Sequence, residues 1–303
     1  SCFLNQVGDS LDDIVETWTE NVWLASNGGG IGTYWGNVRS IGEKVGQNGQ
    51  TSGIIPFIRV MDSLTLAISQ GSLRRGSAAC YLDCHHPEIE EFLEIRKASG
   101  DFNRKSLNLH HGINITDAFM EAVRADEDFG LISPKSGEVV RTINARKLWQ
   151  KILELRMQTG EPYLLFTDTV NNSMPAHQRK LGLKVTQSNL CSEITLPTGI
   201  DHRGQDRTAV CCLSSVNAEK FMEWSKDEHF LEDIFRFLDN VLEDFIERAP
   251  PEMARAVYSA KRERSVGLGL MGLHSFLQSM NVSMEGAMAK VWNEKMFKHI
   301  RQG

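Results

Sequence analysis

Asn189, Cys191 and Glu193 alternate along five residues of the chain. In an extended segment, positions two apart point to the same side, so one face would present an amide, a thiol and a carboxylate together. A carboxylate beside a thiol can serve as general base toward a substrate hydroxyl, and the amide can hold a neighbouring hydroxyl. Spacing alone leaves two other readings open. A lone cysteine is more often a small buried hydrophobe than a catalyst, and the stretch reads equally as a solvated loop. The other cysteines are Cys2, Cys80, Cys84, Cys211 and Cys212. They form neither paired CxxC motifs nor a dense disulfide framework, so a functional disulfide would be transient and catalytic. Cys80-x3-Cys84-His85-His86 has the residue types of a metal cluster, but structural zinc asks for four ligands at well-formed spacings. It reads as a chance cluster at a strand end, His110-His111 as a loop pair, and no metal is expected.

These groups must be positioned by the rest of the 303 residues, of which 41% are hydrophobic and 24% charged, enough for a sizeable core and against global disorder. A net charge of −6 argues against a nucleic-acid coat or a membrane-surface binder. No apolar run approaches a spanning helix, and Ser1-Cys2-Phe3-Leu4-Asn5 is no signal peptide, so the cytoplasm is the default location. Helical patterns alternate with short apolar strands. Asp9-Ser10 can cap a helix with Leu11, Ile14, Val15, Trp18 and Val22 at helical spacing. Further helices are expected at 57–69, at 87–97 behind Pro87, from Asp117, at 146–158 stopped by Gly160, at 230–247, from the 267–272 glycine stretch, and at 291–300. Strands are expected at 79–82, 113–115, 163–167 and 209–213. The alternation favours an α/β architecture with much parallel sheet. Both ends look truncated, Cys2 lying directly ahead of a helix signal and the last helix lacking partner elements. A fragment, or one half of a split protein, is expected.

Gln187-Ser188-Asn189-Leu190-Cys191-Ser192-Glu193-Ile194 resembles the finger-loop motif of the ribonucleotide reductase catalytic subunit. Ser1-Cys2, Gly8-Asp9-Ser10, Gly30-Ile31-Gly32, Ser69-Gln70-Gly71 through Gly76, and Cys211 with Leu213-Ser214 follow in that family's order. The resemblance runs the length of the chain and covers the middle of a full catalytic subunit. It implies a partial ten-stranded α/β barrel of two five-stranded halves around a central finger loop, with residues 1–303 as one incomplete catalytic domain lacking an N-terminal activity domain and the C-terminal part of the barrel. It also implies roles. Cys191 would carry a thiyl radical and abstract the 3′ hydrogen of the substrate ribose, Glu193 would take the 3′-hydroxyl proton, and Asn189 would orient ribose hydroxyls. Cys2 and Cys211 would be the redox pair, which requires Cα atoms within about 7 Å. Cys212 would be packing, because neighbours in a strand face opposite sides.

The nucleotide sites follow from the same resemblance. Ser1, Cys2, Gly30, Asn189, Leu190, Cys191, Ser192 and Glu193 would line the substrate, with Arg74 on its phosphate. Asp9, Ser10, Leu11, Arg39 and Gln70 would bind the effector, a deoxynucleotide or ATP. The family's second loop arginine falls on Gly46, with Lys44 as a stand-in. Without the resemblance, 27–32 reads as an ordinary turn and Arg74-Arg75 as a solvated one. Glu193 points to the aerobic classes. The radical would come from a metal-bearing small subunit, or alternatively from adenosylcobalamin, and thioredoxin or glutaredoxin would re-reduce the disulfide. The implied partners are that small subunit, the missing C-terminal half and a second copy in a homodimer, with Leu11 to Ala25 as the dimer candidate. A second function class is an effector-binding and assembly module without turnover of its own.

Overall fold

The computed structural model describes residues 1–47, 49–70 and 74–303, and of residues 69, 70 and 74 the backbone alone. The chain is α/β and divides into two compact units, residues 1–210 with 250–259, and residues 211–249 with 260–303. The reading of 1–303 as one domain thus meets two units in the structure.

The first unit is built on five parallel strands: β1 (Cys2–Gln6), β2 (Gly30–Tyr34), β3 (Ser77–Asp83), β4 (His110–Ile115) and β5 (Tyr163–Phe166), adjacent in chain order. The crossovers carry α1 (Leu11–Ser26), α2 (Ile55–Ala67), α3 (Asp117–Ala125) and α4 (Ala145–Thr159). Parallel strands need such connections, and helices then cover one face of the sheet. Ser10 caps α1 by accepting the Asp13 N–H at 3.0 Å, Thr116 caps α3, and Gly160 ends α4 in the left-handed conformation.

Period-two alternation assigns each strand residue to a face. On β1, Phe3 and Asn5 turn toward α1, while Cys2 and Gln6 turn toward the 186–198 segment. Tyr81 and Asp83 share that second face, and Cys80 points the other way, beside Trp35 and Asp62.

The inner face of α1 is mixed, with Ile14, Leu24 and Ala25 buried beside polar side chains. Thr17, Glu20 and Asn21 are buried. Asn5 donates to both Glu20 (3.0 Å) and Asn21 (2.8 Å), and Arg255 reaches Glu20 at 2.8 Å, so these buried polar groups are satisfied. Of the apolar residues at helical spacing, Ile14 is buried, while Leu11 and Val15 are 65% and 47% exposed.

Several elements differ from expectation. β1 and β2 are strands where none was expected, the second starting within the stretch read as a turn at 27–32. The helix behind Pro87 is one turn, Ile89–Phe92. Ile89, Phe92, Leu93 and Ile95 are all buried, and past Leu93 the segment tightens into i→i+3 turns. The 267–272 stretch is a strand as far as Met271, and the helix expected from it begins behind Gly272, at Leu273–Ser279. In the second unit β6 (Ala209–Asn217) pairs in parallel with β7 (Val266–Met271). Gly267 and Gly269 allow that approach, since a Cβ would stand 3.3 Å from Cys211 Sγ and 2.8 Å from Ser215 Oγ. The unit's core packs Phe221, Trp224, Leu231, Phe276 and Met296 between α5 (Phe230–Arg248) and α6 (Ala287–Gln302).

Candidate active site

Residues 187–194 form a loop without regular structure, lying on the sheet face opposite α1. Gln187, Ser188 and Asn189 are fully buried, Leu190 is half-buried, and Cys191 and Glu193 are exposed. The loop is not extended as its spacing suggested. Ser192 has φ +67 and its N–H reaches Asn189 O at 3.3 Å. The reason is Asn189, whose Oδ1 accepts the N–H groups of Glu193 and Ile194, both at 3.0 Å. An asparagine side chain that satisfies its own downstream backbone imposes a turn. Asn189 Nδ2 donates to Cys2 Sγ at 3.3 Å. One residue therefore shapes the loop and touches the first cysteine, and the amide is committed to the protein rather than displayed beside the thiol.

The loop is anchored at both arms. Gln187 Nε2 donates to Asn5 O at 2.7 Å, and its Oε1 accepts from Thr198 Oγ1 at 3.0 Å. Gln6 Nε2 donates to Thr186 and Thr198, each at 2.8 Å. Asn114 Nδ2 bridges Thr186 O (2.6 Å) and Asp83 (2.8 Å), and Tyr34 donates to the same carboxylate. Beneath the tip, Tyr81 OH donates to Asn189 O at 2.7 Å. Gly32 lets the backbone settle: a Cβ there would lie 2.0 Å from Ser188 O. Gly30, which opens β2 rather than a turn, faces Leu190 with room for a contact at 3.2 Å, and its N–H donates to Ser1 O at 3.2 Å. Ser1, Cys2, Gly30, Asn189, Leu190, Cys191, Ser192 and Glu193 thus share one side of the first unit. Gln187, Gly32, Tyr81 and Asn114 were not assigned roles from sequence. The alternation of β3 is the signal that finds Tyr81, because a tyrosine centred in a buried parallel strand needs a partner for its hydroxyl.

Burial pushes the Cys191 thiol above its usual range, and the charges of Glu193 and then Cys2 push the same way. Glu193→Gln should therefore lower the Cys191 pKa and speed its alkylation by iodoacetamide near pH 8, with the rate–pH profile moving to lower pH. The other five cysteines are buried, so the label reports Cys191. An unchanged rate–pH profile would show that Glu193 does not act on the thiol.

The effector candidates stand past the opposite ends of β1 and β2. Arg39 closes on Asp9, with Nε 2.9 Å from each carboxylate oxygen, and its backbone N–H donates to the same group at 2.8 Å. Hydrogen bonding to Asp9 raises the guanidinium pKa further. Ser10 serves as the α1 cap, Leu11 is exposed, and Lys44 and Gly46 lie exposed on the following loop. The side chains of Gln70 and Arg74, and the whole of Gly71, Ser72 and Leu73, lie outside the described residues. Cys211 and Cys212 are both buried, on β6 of the second unit. Cys80 and Cys84 are buried thiols raised by desolvation. His86 is held between Val38 O and the Glu88 N–H, each at 3.1 Å, and His110 and His111 both bond Glu161.

Residues 1–303 match the family model of the ribonucleotide reductase barrel domain. The chain is 46% identical over 99% of its length to a Frog virus 3 (isolate Goorha) protein provisionally named a ribonucleoside-diphosphate reductase large subunit, covering 52% of that protein. It is 40% identical over 99% of its length to the ribonucleoside-diphosphate reductase large subunit of Invertebrate iridescent virus 3, covering 54% of it. Among solved structures, the Actinobacillus ureae class Id ribonucleotide reductase alpha subunit superposes with a TM-score of 0.84 at 32% identity, over 100% of this chain and 52% of that one. The chain spans about half the length of these relatives. Its α/β fold, its finger loop and these matches together place it in the ribonucleotide reductase large-subunit family, as part of the barrel domain.

Proposed function

We propose that this chain forms part of the catalytic subunit of a ribonucleoside-diphosphate reductase, which replaces the ribose 2′-hydroxyl by hydrogen. The observation that carries the reading is Asn189, which joins the Cys191 loop to Cys2 through one side chain. A Cys191 thiyl takes the 3′ hydrogen of the ribose and becomes a thiol. Glu193 accepts the 3′-hydroxyl proton as the protonated 2′-hydroxyl leaves as water. Cys2 and Cys211 supply two electrons and two protons and close to a disulfide, and the 3′ hydrogen returns from Cys191, regenerating the thiyl. Net, one ribonucleotide and two thiols give one deoxyribonucleotide, water and a disulfide, which exchange with thioredoxin or glutaredoxin reopens. A raised thiol pKa suits this chemistry, because a hydrogen atom can be removed only from the S–H form. The radical itself is supplied by a metal-bearing small subunit of class I type, with adenosylcobalamin as the alternative source. The test is deoxyribonucleotide formation from a ribonucleoside diphosphate by the chain joined to the remaining length of a relative's large subunit, with small subunit in one arm and adenosylcobalamin in the other. No product in either arm overturns the reading.

The exposed stripe of Leu11 and Val15, with Trp23 further along α1, favours a homodimer through this helix beside the Asp9–Arg39 effector site. Leu11→Asp with Val15→Asp should leave folding intact, since surface changes cost within about 0.5 kcal/mol. It should weaken self-association at least tenfold in sedimentation equilibrium. Undiminished association would place the interface elsewhere. Effector binding by the chain alone, without turnover, is the outcome that favours the assembly-module reading.

A further inference from the structure

We propose that Tyr81 is a positioning residue for the reaction, fixing the height and turn of the finger loop and hence the place of the Cys191 thiol. This rests on the reading of Cys191 as the reacting thiol. Tyr81 sits in the middle of β3, fully buried, with its hydroxyl 2.7 Å from Asn189 O. That carbonyl also receives the Ser192 N–H, at the longer distance of 3.3 Å. The phenol is therefore the shorter of the two bonds that define where the turn begins. Everything else about the turn leaves from the same residue: Asn189 Oδ1 holds the next two N–H groups past Ser192, and Nδ2 holds Cys2 Sγ. A carbonyl pinned to the sheet sets the origin of all of these, and Cys191 lies two residues along from it.

The neighbouring strands are cut to fit this contact. Gly112 is the β4 residue in register with Tyr81, and a Cβ there would stand 2.4 Å from Tyr81 Cε1. On the other side, Gly32 of β2 leaves space for Ser188 O. The first glycine lets the ring lie flat on the sheet, and the second lets the backbone come down to meet the hydroxyl. Leu190 and Tyr163 pack against the same cluster of Tyr34, Ala79 and Tyr81, so the ring also floors the apolar part of the tip. A tyrosine retained only to fill space would be replaceable by phenylalanine without consequence. A tyrosine that aims the loop would not.

Tyr81→Phe separates these cases, because it removes one oxygen and keeps the ring. In this chain, hydrogen exchange of the Ser192, Glu193 and Ile194 amides should quicken roughly fivefold, the usual worth of one neutral hydrogen bond, while the Leu4 amide of β1 and the melting temperature hold steady. In the active assembled enzyme, kcat should fall roughly tenfold or more with KM unchanged within twofold, since small displacements of a reacting group lower turnover rather than binding. Gly112→Ala, which pushes the ring without touching a polar group, should reproduce both effects and serves if the phenylalanine variant fails to fold. Unchanged exchange at the three amides overturns the proposal, and so does faster exchange with unchanged kcat. A fully active Cys191→Ser enzyme would instead sink the assignment of Cys191 while leaving the exchange effect of Tyr81→Phe in place.

Discussion

Gly32→Ala should lift the finger loop off its sheet and lower turnover on the order of a hundredfold. The added Cβ would lie 2.0 Å from Ser188 O and 2.9 Å from Asn189 Cα. Both are backbone atoms, so no side-chain rotation relieves the clash. Either β2 or the loop must move, and overpacking of this kind costs about 1–3 kcal/mol. β2 is held between β1 and β3 along its length, whereas the loop is held by side chains, so the loop is the part that yields. A displacement near 1 Å of a reacting group costs roughly a hundredfold in rate. Gly30→Ala is the control. Its Cβ would meet only the Leu190 side chain, 3.2 Å from Cδ2 and 3.4 Å from Cβ, so the cost should be far smaller than at Gly32, while KM rises if the Gly30 backbone borders the substrate. Urea unfolding and steady-state kinetics on both variants make the comparison. Wild-type turnover in Gly32→Ala would show that the loop's seat on β2 has no bearing on the reaction.

How far the site could be read in advance depended on what each residue's signal was made of. Three of the five strands of the first unit, β3, β4 and β5, announce themselves as short apolar runs, whereas β1 and β2 were not expected as strands, and Ser10, Thr116 and Gly160 mark helix ends by chemistry that is local in sequence. The failures have non-local causes. The helical spacing of Leu11, Ile14 and Val15 does not say which of them faces in: Ile14 is buried on the same face as Glu20 and Asn21, which Asn5, Thr33 and Arg255 arrive from elsewhere to satisfy. The 267–272 glycines read as a helix start; the helix begins only at Leu273, and Gly267 and Gly269 lie in a strand because Cys211 and Ser215 stand where their side chains would go. Asn189 and Cys191 were legible as chemistry but not as geometry. Their alternation suggested a shared face, and the turn at Ser192 breaks it. Tyr81 lies more than a hundred positions from the loop it holds, at |i−j| = 108, and no local pattern contains that pairing.

Cys191→Ser should abolish deoxyribonucleotide formation, a loss on the order of 10⁴-fold or more, as for removal of a residue on which the chemistry depends. The substitution is nearly isosteric at an exposed position, so folding and effector binding should be untouched. What changes is the bond: a serine O–H is far harder to break homolytically than a thiol S–H, so no radical should form at the position proposed to face the ribose. The sharper expectation separates the two kinds of cysteine. With substrate tritiated at the 3′ carbon, Cys191→Ser should release no tritium to water, since hydrogen abstraction never occurs. Cys2→Ser should still release it, because in the proposed sequence abstraction precedes reduction, yet yield no deoxyribonucleotide, because one thiol of the proposed reducing pair would be gone. Cys2 contacts Asn189 Nδ2 through its sulfur, and serine keeps an acceptor there, so the loop's shape survives the change. Cys211→Ser should behave like Cys2→Ser, and Cys212→Ser should leave both readouts intact. Tritium release from the Cys191→Ser enzyme would mean that the radical resides on another residue. Full product formation by Cys211→Ser with loss in Cys212→Ser would move the second reducing thiol by one position along β6.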